Sequence, residues 1–209
     1  MTGAALAEGL ERADREKRLV AFTSVVAAVF LTGMKVAVGV STGSIGILAE
    51  AAHSALDLVA AGVTFWAVRA AGRPADPEHT YGHGKIENLS ALFETALLLV
   101  TCIWIVSESV ERLFFHPAHV EPTPWAFAVM AVSIVVDVSR SRALARTAKK
   151  YGSQALEADA LHFSTDVWSS TVVLVGLVFV VLSHRLGVPW LAQADAVAAL
   201  AVAAIVVVL

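Results

Sequence analysis

The sequence predicts an all-α membrane protein folded as a six-transmembrane-helix bundle, and three observations carry that expectation. Of its 209 residues, 57% are hydrophobic and only 16% are charged, with a mean hydropathy of +0.73. Ordinary soluble domains carry roughly 45–50% apolar and about 25% charged residues, so a soluble globule of this composition would lack a polar shell. The apolar residues also gather into six runs near the length of about 20 that a helix needs to cross roughly 30 Å of hydrocarbon. Finally, these runs are not the alternating segments of roughly 10 residues that build a membrane barrel.

Each element follows in order. Residues 1–18 are polar and are expected to form a cytoplasmic N-terminal segment, with Arg12, Arg15, Lys17 and Arg18 ahead of the first span. That span, residues 19–40, leads directly into further spans, whereas a cleaved leader has a shorter apolar core and precedes a mature domain. The second span, 45–68, follows the turn Ser41-Thr42-Gly43-Ser44. The third, 89–110, follows a polar loop from Gly72 to Gly84. The fourth, 125–138, is the shortest and carries Asp137 at its end. The fifth and sixth are 155–182 and 189–209, which makes residues 19–209 one transmembrane domain.

Lys and Arg concentrate at the N-terminus, between spans two and three (Arg69, Arg73, Lys85) and between spans four and five (Arg140, Arg142, Arg146, Lys149, Lys150). The opposite side has Arg112 and Arg185, and Lys35 lies inside the first span. Basic loops face the cytoplasm, so both termini are expected there. The chain ends in Val206-Val207-Val208-Leu209 without an interfacial anchor, which leads us to expect a cytoplasmic C-terminal domain absent from this chain. A net charge of −3 and a pI near 6.1 offer nothing to a nucleic acid. The single Cys102 excludes an intramolecular disulfide.

Ionisable groups at membrane depth cost several kcal/mol and mark functional positions. Two spans concentrate them in one pattern, Ala-acid-Ala-x-His-x-x-x-Asp: Ala49-Glu50-Ala51-Ala52-His53 through Asp57, and Ala158-Asp159-Ala160-Leu161-His162 through Asp166. Residues four apart share a helix face, so His53 projects with Asp57, and His162 with Asp166. A lone His-x-x-x-Asp can be merely an interhelical hydrogen bond, but two copies on antiparallel spans point to a convergent set of nitrogen and oxygen ligands. Such a set suits tetrahedral Zn²⁺, with Cd²⁺, Co²⁺, Fe²⁺ and Mn²⁺ as competitors. The absence of sulfur argues against Cu(I), and two histidines argue against Mg²⁺ or Ca²⁺.

Glu50 and Asp159 lie one turn before each His. They can fix the imidazole tautomers, serve as steps in an ion pathway, or simply pair with a neighbouring helix. In the loop, Asp76, His79 and His83 supply three further ligands beside flexible glycines, although histidines in polar loops are commonly just solvated. His116 and His119 lie in a proline-flanked outer loop and are read as having no special role. Lys35 can snorkel or pair with a buried acid. Glu87, Glu94, Asp137 and Asp195 receive no assignment. A metal hydrolase would need an open ligand position and a general base, and no His-Glu-x-x-His occurs, so an enzyme is not expected.

With these residues in view, the chain resembles the cation diffusion facilitators, six-span transporters of divalent metals. The resemblance rests on Gly43-Ser44 through Leu48 leading into His53 and Asp57, on His79-Thr80-Tyr81-Gly82-His83-Gly84-Lys85-Ile86-Glu87, on Ala158 through His162 with Asp166, and on the six-span layout. It implies that His53, Asp57, His162 and Asp166 match the family's transport site, in the two-His, two-Asp version associated with zinc. It also implies that Asp76, His79 and His83 match a second, cytoplasmic-loop metal site. By the same resemblance the protein would be a proton-coupled exporter working as a homodimer in the lipid bilayer, in a bacterial inner (plasma) membrane. A non-transporting metal sensor or scaffold of the same family is the alternative.

Overall fold

The computed structural model describes residues 3–43, 45–114 and 123–186. Five α-helices account for almost all of them: α1 (Gly3–Thr42), α2 (Ile45–Ala71), α3 (Lys85–Phe114), α4 (Pro124–Tyr151) and α5 (Gln154–Leu186). The expected sixth span, 189–209, lies outside the described residues, as do His116, His119 and Asp195. Among the described residues, α1, α2 and α3 contain stretches long and apolar enough to cross a membrane.

The packing is inverted relative to a soluble protein. Val26, Val29 and Phe30 on α1 face outward, as do Leu89, Leu92, Leu99 and Ile103 on α3. Inside lie Lys35, Asp57, Glu94, Asp137, Arg140, Asp159 and His162. Apolar residues outside and charges inside suit a hydrocarbon solvent, where the interior must satisfy polar groups and the exterior need not.

Small residues let the helices approach closely. Ala21, Ala28, Ala61, Ala148, Ala155 and Ala160 form much of the core around Leu144, Leu156 and Phe163. Helix α1 packs along α2 and α4 along α5, while α3 rests against both α2 and α5. At the α1–α2 turn, Gly43 takes a φ of 64°, a left-handed conformation that glycine adopts without penalty. Helix α4 begins on Thr123, whose side chain accepts from the Ala126 N–H, with Pro124 next. It ends on Gly152, also left-handed at φ 64°.

Two boundaries depart from the sequence expectation. The polar N-terminal segment is helical from Gly3 and continuous with the first span, making α1 40 residues long, about 60 Å at 1.5 Å per residue. Its polar turns are held by tertiary contacts. Lys17 Nζ lies 3.0 Å from Glu87 Oε1 on α3, whose other oxygen accepts from Ser153 Oγ at 2.5 Å, and Lys150 Nζ lies 2.7 Å from Glu16 Oε2.

The basic region read as a loop between spans four and five is instead the last half of α4, so the α4–α5 connection shrinks to Gly152 and Ser153. The charge at Asp137 does not end the helix because Arg140, one turn on, neutralises it at 3.1 Å. Lys149 and Lys150 sit in the last turn, where cations favour the helix dipole.

Candidate metal centre

Helices α2 and α5 bring the two His-x-x-x-Asp pairs face to face. Across the interface, His162 Nε2 lies 3.4 Å from Asp57 Oδ1, and His53 Nε2 lies 3.6 Å from Asp166 Oδ1. Along each helix, His53 Nε2 to Asp57 Oδ1 is 3.9 Å and His162 Nε2 to Asp166 Oδ2 is 3.7 Å. Imidazoles and carboxylates therefore alternate around a ring of four residues. Zinc bonds of about 2.0–2.2 Å imply tetrahedral edges of about 3.4 Å, so the four contacts equal or somewhat exceed such an edge, and Asp166 faces the two imidazoles through different oxygens. One donor atom each from His53, Asp57 and Asp166 falls within 4.8 Å of the others, a group that does not include His162.

The ring is asymmetric. Asp57 and His162, nearer the end of the bundle with the α2–α3 loop, are buried, the His162 side chain to 1% exposure. His53, nearer the α1–α2 turn, retains 22% side-chain exposure, while the two carboxylates are alike, Asp57 at 12% and Asp166 at 14%. Trp104 on α3 stands beside His53 with ring centroids 6.5 Å apart.

The flanking acids do not turn toward the imidazoles. Glu50 pairs with Lys35, Oε2 to Nζ 3.3 Å, and the same ammonium donates to Ser54 Oγ at 2.8 Å. Of the two roles open to Lys35, the structure selects pairing with an acid, although Glu50 is half-buried rather than buried. Asp159 accepts from Ser24 Oγ at 3.5 Å. Among the described residues, His162 Nδ1 has no hydrogen-bond partner.

Ser24 also accepts from Arg140, Nη2 to Oγ 3.1 Å. The Arg140 guanidinium stacks 3.5 Å from the Phe163 ring centroid, immediately beside His162 in sequence. Arg140, Asp137 and Ser24 thus lock α1, α4 and α5 behind the ring. Sequence reasoning left Asp137 unassigned and placed Arg140 in a loop, although the i, i+3 spacing of opposite charges was the available signal.

The loop residues also converge. Asp76 Oδ1 lies 3.0 Å from His79 Nδ1, and Asp76 Oδ2 lies 3.3 Å from His83 Nε2. The two imidazoles stack at 4.4 Å between centroids. The His79 backbone N–H donates to Asp76 Oδ1 at 2.7 Å, and Gly82 adopts φ 80° to bring the chain back. Slight burial pushes the Asp76 carboxyl up, but hydrogen bonds from the His79 backbone and ring outweigh it and hold the group below its ordinary range. These three residues form a second cluster able to hold a metal ion.

Residues 21–209 match the family profile of the cation efflux transmembrane domain. An uncharacterized transporter of Synechocystis is 37% identical over 168 residues, 79% of this chain and 54% of that protein. The cation-efflux pump FieF of Shewanella oneidensis is 34% identical over 165 residues, 77% of this chain and 54% of the pump. Metal tolerance protein 2 of Oryza sativa is 34% identical over an alignment of 208 residues, covering 88% of this chain and 51% of that protein. The chain spans about half the length of these relatives. A match over nearly the whole chain, on a helical scaffold with membrane-capable helices, makes this an integral membrane protein that belongs to the cation efflux, or cation diffusion facilitator, family.

Proposed function

We propose that this chain moves divalent metal cations across a membrane in exchange for protons, with Zn²⁺ as the leading substrate and His53, Asp57, His162 and Asp166 as its transport site. The observation that carries the reading is the alternating ring of imidazole and carboxylate atoms, 3.4–3.9 Å apart, shared by two antiparallel helices. Relatives named as a cation-efflux pump and a metal tolerance protein support metal cation transport over an enzymatic role. Two neutral imidazoles and two carboxylates suit Zn²⁺, with Cd²⁺, Co²⁺, Fe²⁺ and Mn²⁺ able to compete.

The ring itself supplies the coupling. A metal binds only deprotonated ligands, so protons and metal compete for the same atoms. Imidazole ordinarily titrates near 6.5, in the range where a physiological pH gradient can drive that exchange. Both donor pairs span the α2–α5 interface, so rocking of one helix group against the other would carry the intact site between the two membrane faces. On this reading the α2–α3 loop is cytoplasmic and Asp76, His79 and His83 form a loop metal site. The chain acts as a homodimer in a bacterial inner membrane, with both termini cytoplasmic.

The test is Zn²⁺ flux into proteoliposomes under a pH gradient. Gradient-driven uptake that disappears in Asp57→Ala supports the reading. Absent uptake by the wild type, or equal uptake by the variant, contradicts it.

A further inference from the structure

Lys35 is a charged side chain inside the bundle that the proposed transport ring does not use. It stands on α1 with its side chain 4% exposed, and its ammonium lies 3.3 Å from Glu50 Oε2 on α2. The same ammonium donates to Ser54 Oγ at 2.8 Å. One turn earlier on α1, Thr32 Oγ1 donates to the Ser54 backbone carbonyl at 2.9 Å. Ser54 directly follows His53, so α1 grips the turn of α2 that carries a ring imidazole.

The spacing on α2 gives Glu50 a particular place. Glu50, His53 and Asp57 stand at i, i+3 and i+7, positions that share one helix stripe. Glu50 lies one turn beyond His53, about 4.5 Å along the axis toward the α1–α2 turn. His53 keeps its exposure at that end of the ring. A free carboxylate there would add a third negative group beside the two that already offset the charge of a bound divalent ion. Burying an ammonium is costly. A polar tie between α1 and α2 needs no such charge, since the Thr32 hydroxyl already makes one.

We propose that Lys35 is a positioning residue for the transport ring: it neutralises Glu50 and holds that carboxylate away from the bound cation. The proposal rests on the reading of the chain as a metal transporter and deepens it. With Glu50 engaged, two carboxylates alone balance the divalent ion, which can then leave toward the α1–α2 turn without meeting a competing anion. With the Lys35 charge removed, Glu50 adds its own charge and oxygens to the ion's surroundings, and release slows. A contact that only tied α1 to α2 would respond alike to loss of either partner. An electrostatic pair responds with opposite signs, because losing Lys35 leaves a bare anion near the ring and losing Glu50 leaves a bare cation.

The experiment titrates Co²⁺, read by its ligand-field absorption, into the purified chain in detergent, with Asp76→Ala and His79→Ala removing the loop cluster. Lys35→Met is expected to raise affinity at the ring at least about fivefold, and Glu50→Gln to lower it at least about fivefold. The two changes together should return it to within about twofold of the parent, as should Lys35→Arg, which keeps the charge. In proteoliposomes, Lys35→Met should lower kcat and KM for Zn²⁺ uptake together. Where Lys35→Met alone fails to fold, the loss in Glu50→Gln and its reversal in the double variant, which buries no unpaired charge, carry the same test. Affinity shifts of one sign in both single variants, an unchanged affinity in Glu50→Gln, a double variant no closer to the parent, or unaltered uptake kinetics in Lys35→Met overturns the proposal. If the wild type itself takes up no Zn²⁺, the transport reading fails and the Co²⁺ titration alone still decides the role of Lys35.

Discussion

The membrane ring and the loop cluster use the same chemistry in opposite settings. Both combine imidazoles with carboxylates at 3.0–3.9 Å. The ring draws its donors from two helices more than 100 residues apart in sequence and leaves their side chains between 1% and 22% exposed. The loop cluster draws its donors from eight consecutive residues, with the His79 side chain 57% exposed and the Asp76 side chain 40% exposed. A donor set split between two rigid helices is tied to their relative position, so binding and helix movement are coupled. A donor set within one loop can bind a metal without moving the bundle. On the proposed reading, matching donors take different roles: the ring would convert binding into movement, and the loop would capture the ion.

Removing ring donors breaks the comparison most severely. Asp57→Ala or His162→Ala is expected to abolish Zn²⁺ uptake, a loss beyond the roughly 10–100-fold that follows from disturbing an outer partner of a metal ligand. Circular dichroism should show unchanged helix content, because the ring's charges face one another rather than the apolar core. Arg140→Ala inverts that pattern. It leaves Asp137 buried without its cation and removes the stack on Phe163, and breaking a buried pair costs about 3–5 kcal/mol. Its melting temperature in detergent should therefore fall sharply, with Arg140→Lys intermediate because lysine keeps the charge but not the planar stack.

Asp76→Ala should have a smaller effect, since it removes the carboxylate that both loop histidines share. Metal affinity at the loop is expected to drop by more than the roughly 10–100-fold of an outer partner by isothermal titration, while maximal uptake changes by no more than about twofold. A complete loss of uptake would erase the distinction between capture and movement.

The smallest effect lies where α1 meets the end of α4. Lys150 and Tyr151 hydrogen-bond to Glu16 and hold its carboxyl below the ordinary value of 4.5. The same contacts, Glu16 first, raise the Lys150 ammonium above 10.5. A depressed acid stabilises above its unfolded value and loses that contribution as pH falls through the folded one. A raised base stabilises below its unfolded value and loses that contribution as pH rises through the folded one. The contact should therefore be complete between about pH 5 and pH 10 and fade on either side. Lys150→Ala should lower the melting temperature slightly at pH 7 and low salt, and not at all in strong acid or high salt.

The ring was legible in the sequence because a four-residue spacing maps directly onto one helix face, and because the pattern occurs twice. The loop cluster was legible for the same local reason: Asp76, His79 and His83 are close in sequence and need only a glycine-assisted turn. The helix limits were less accessible. Asp137 and Arg140 read as a charged break in an apolar span, yet they neutralise one another within α4 and let it run on to Tyr151. Likewise the polar turns before Leu19 are helical through partners on α3 and α4 that no local pattern announces. Glu94 stood out only as a single acid in an apolar run. Its bond from the Thr64 hydroxyl appears once α3 is packed against α2, because the two lie on different helices.

The most direct test of the central claim is the coordination of zinc bound to the Asp76→Ala, His79→Ala variant, read by X-ray absorption at the Zn edge. The ring described here predicts one tightly held zinc with two nitrogen and two oxygen neighbours at about 2.0–2.2 Å, lost on adding Asp57→Ala. A six-coordinate all-oxygen shell, or zinc bound equally well after that substitution, would contradict it.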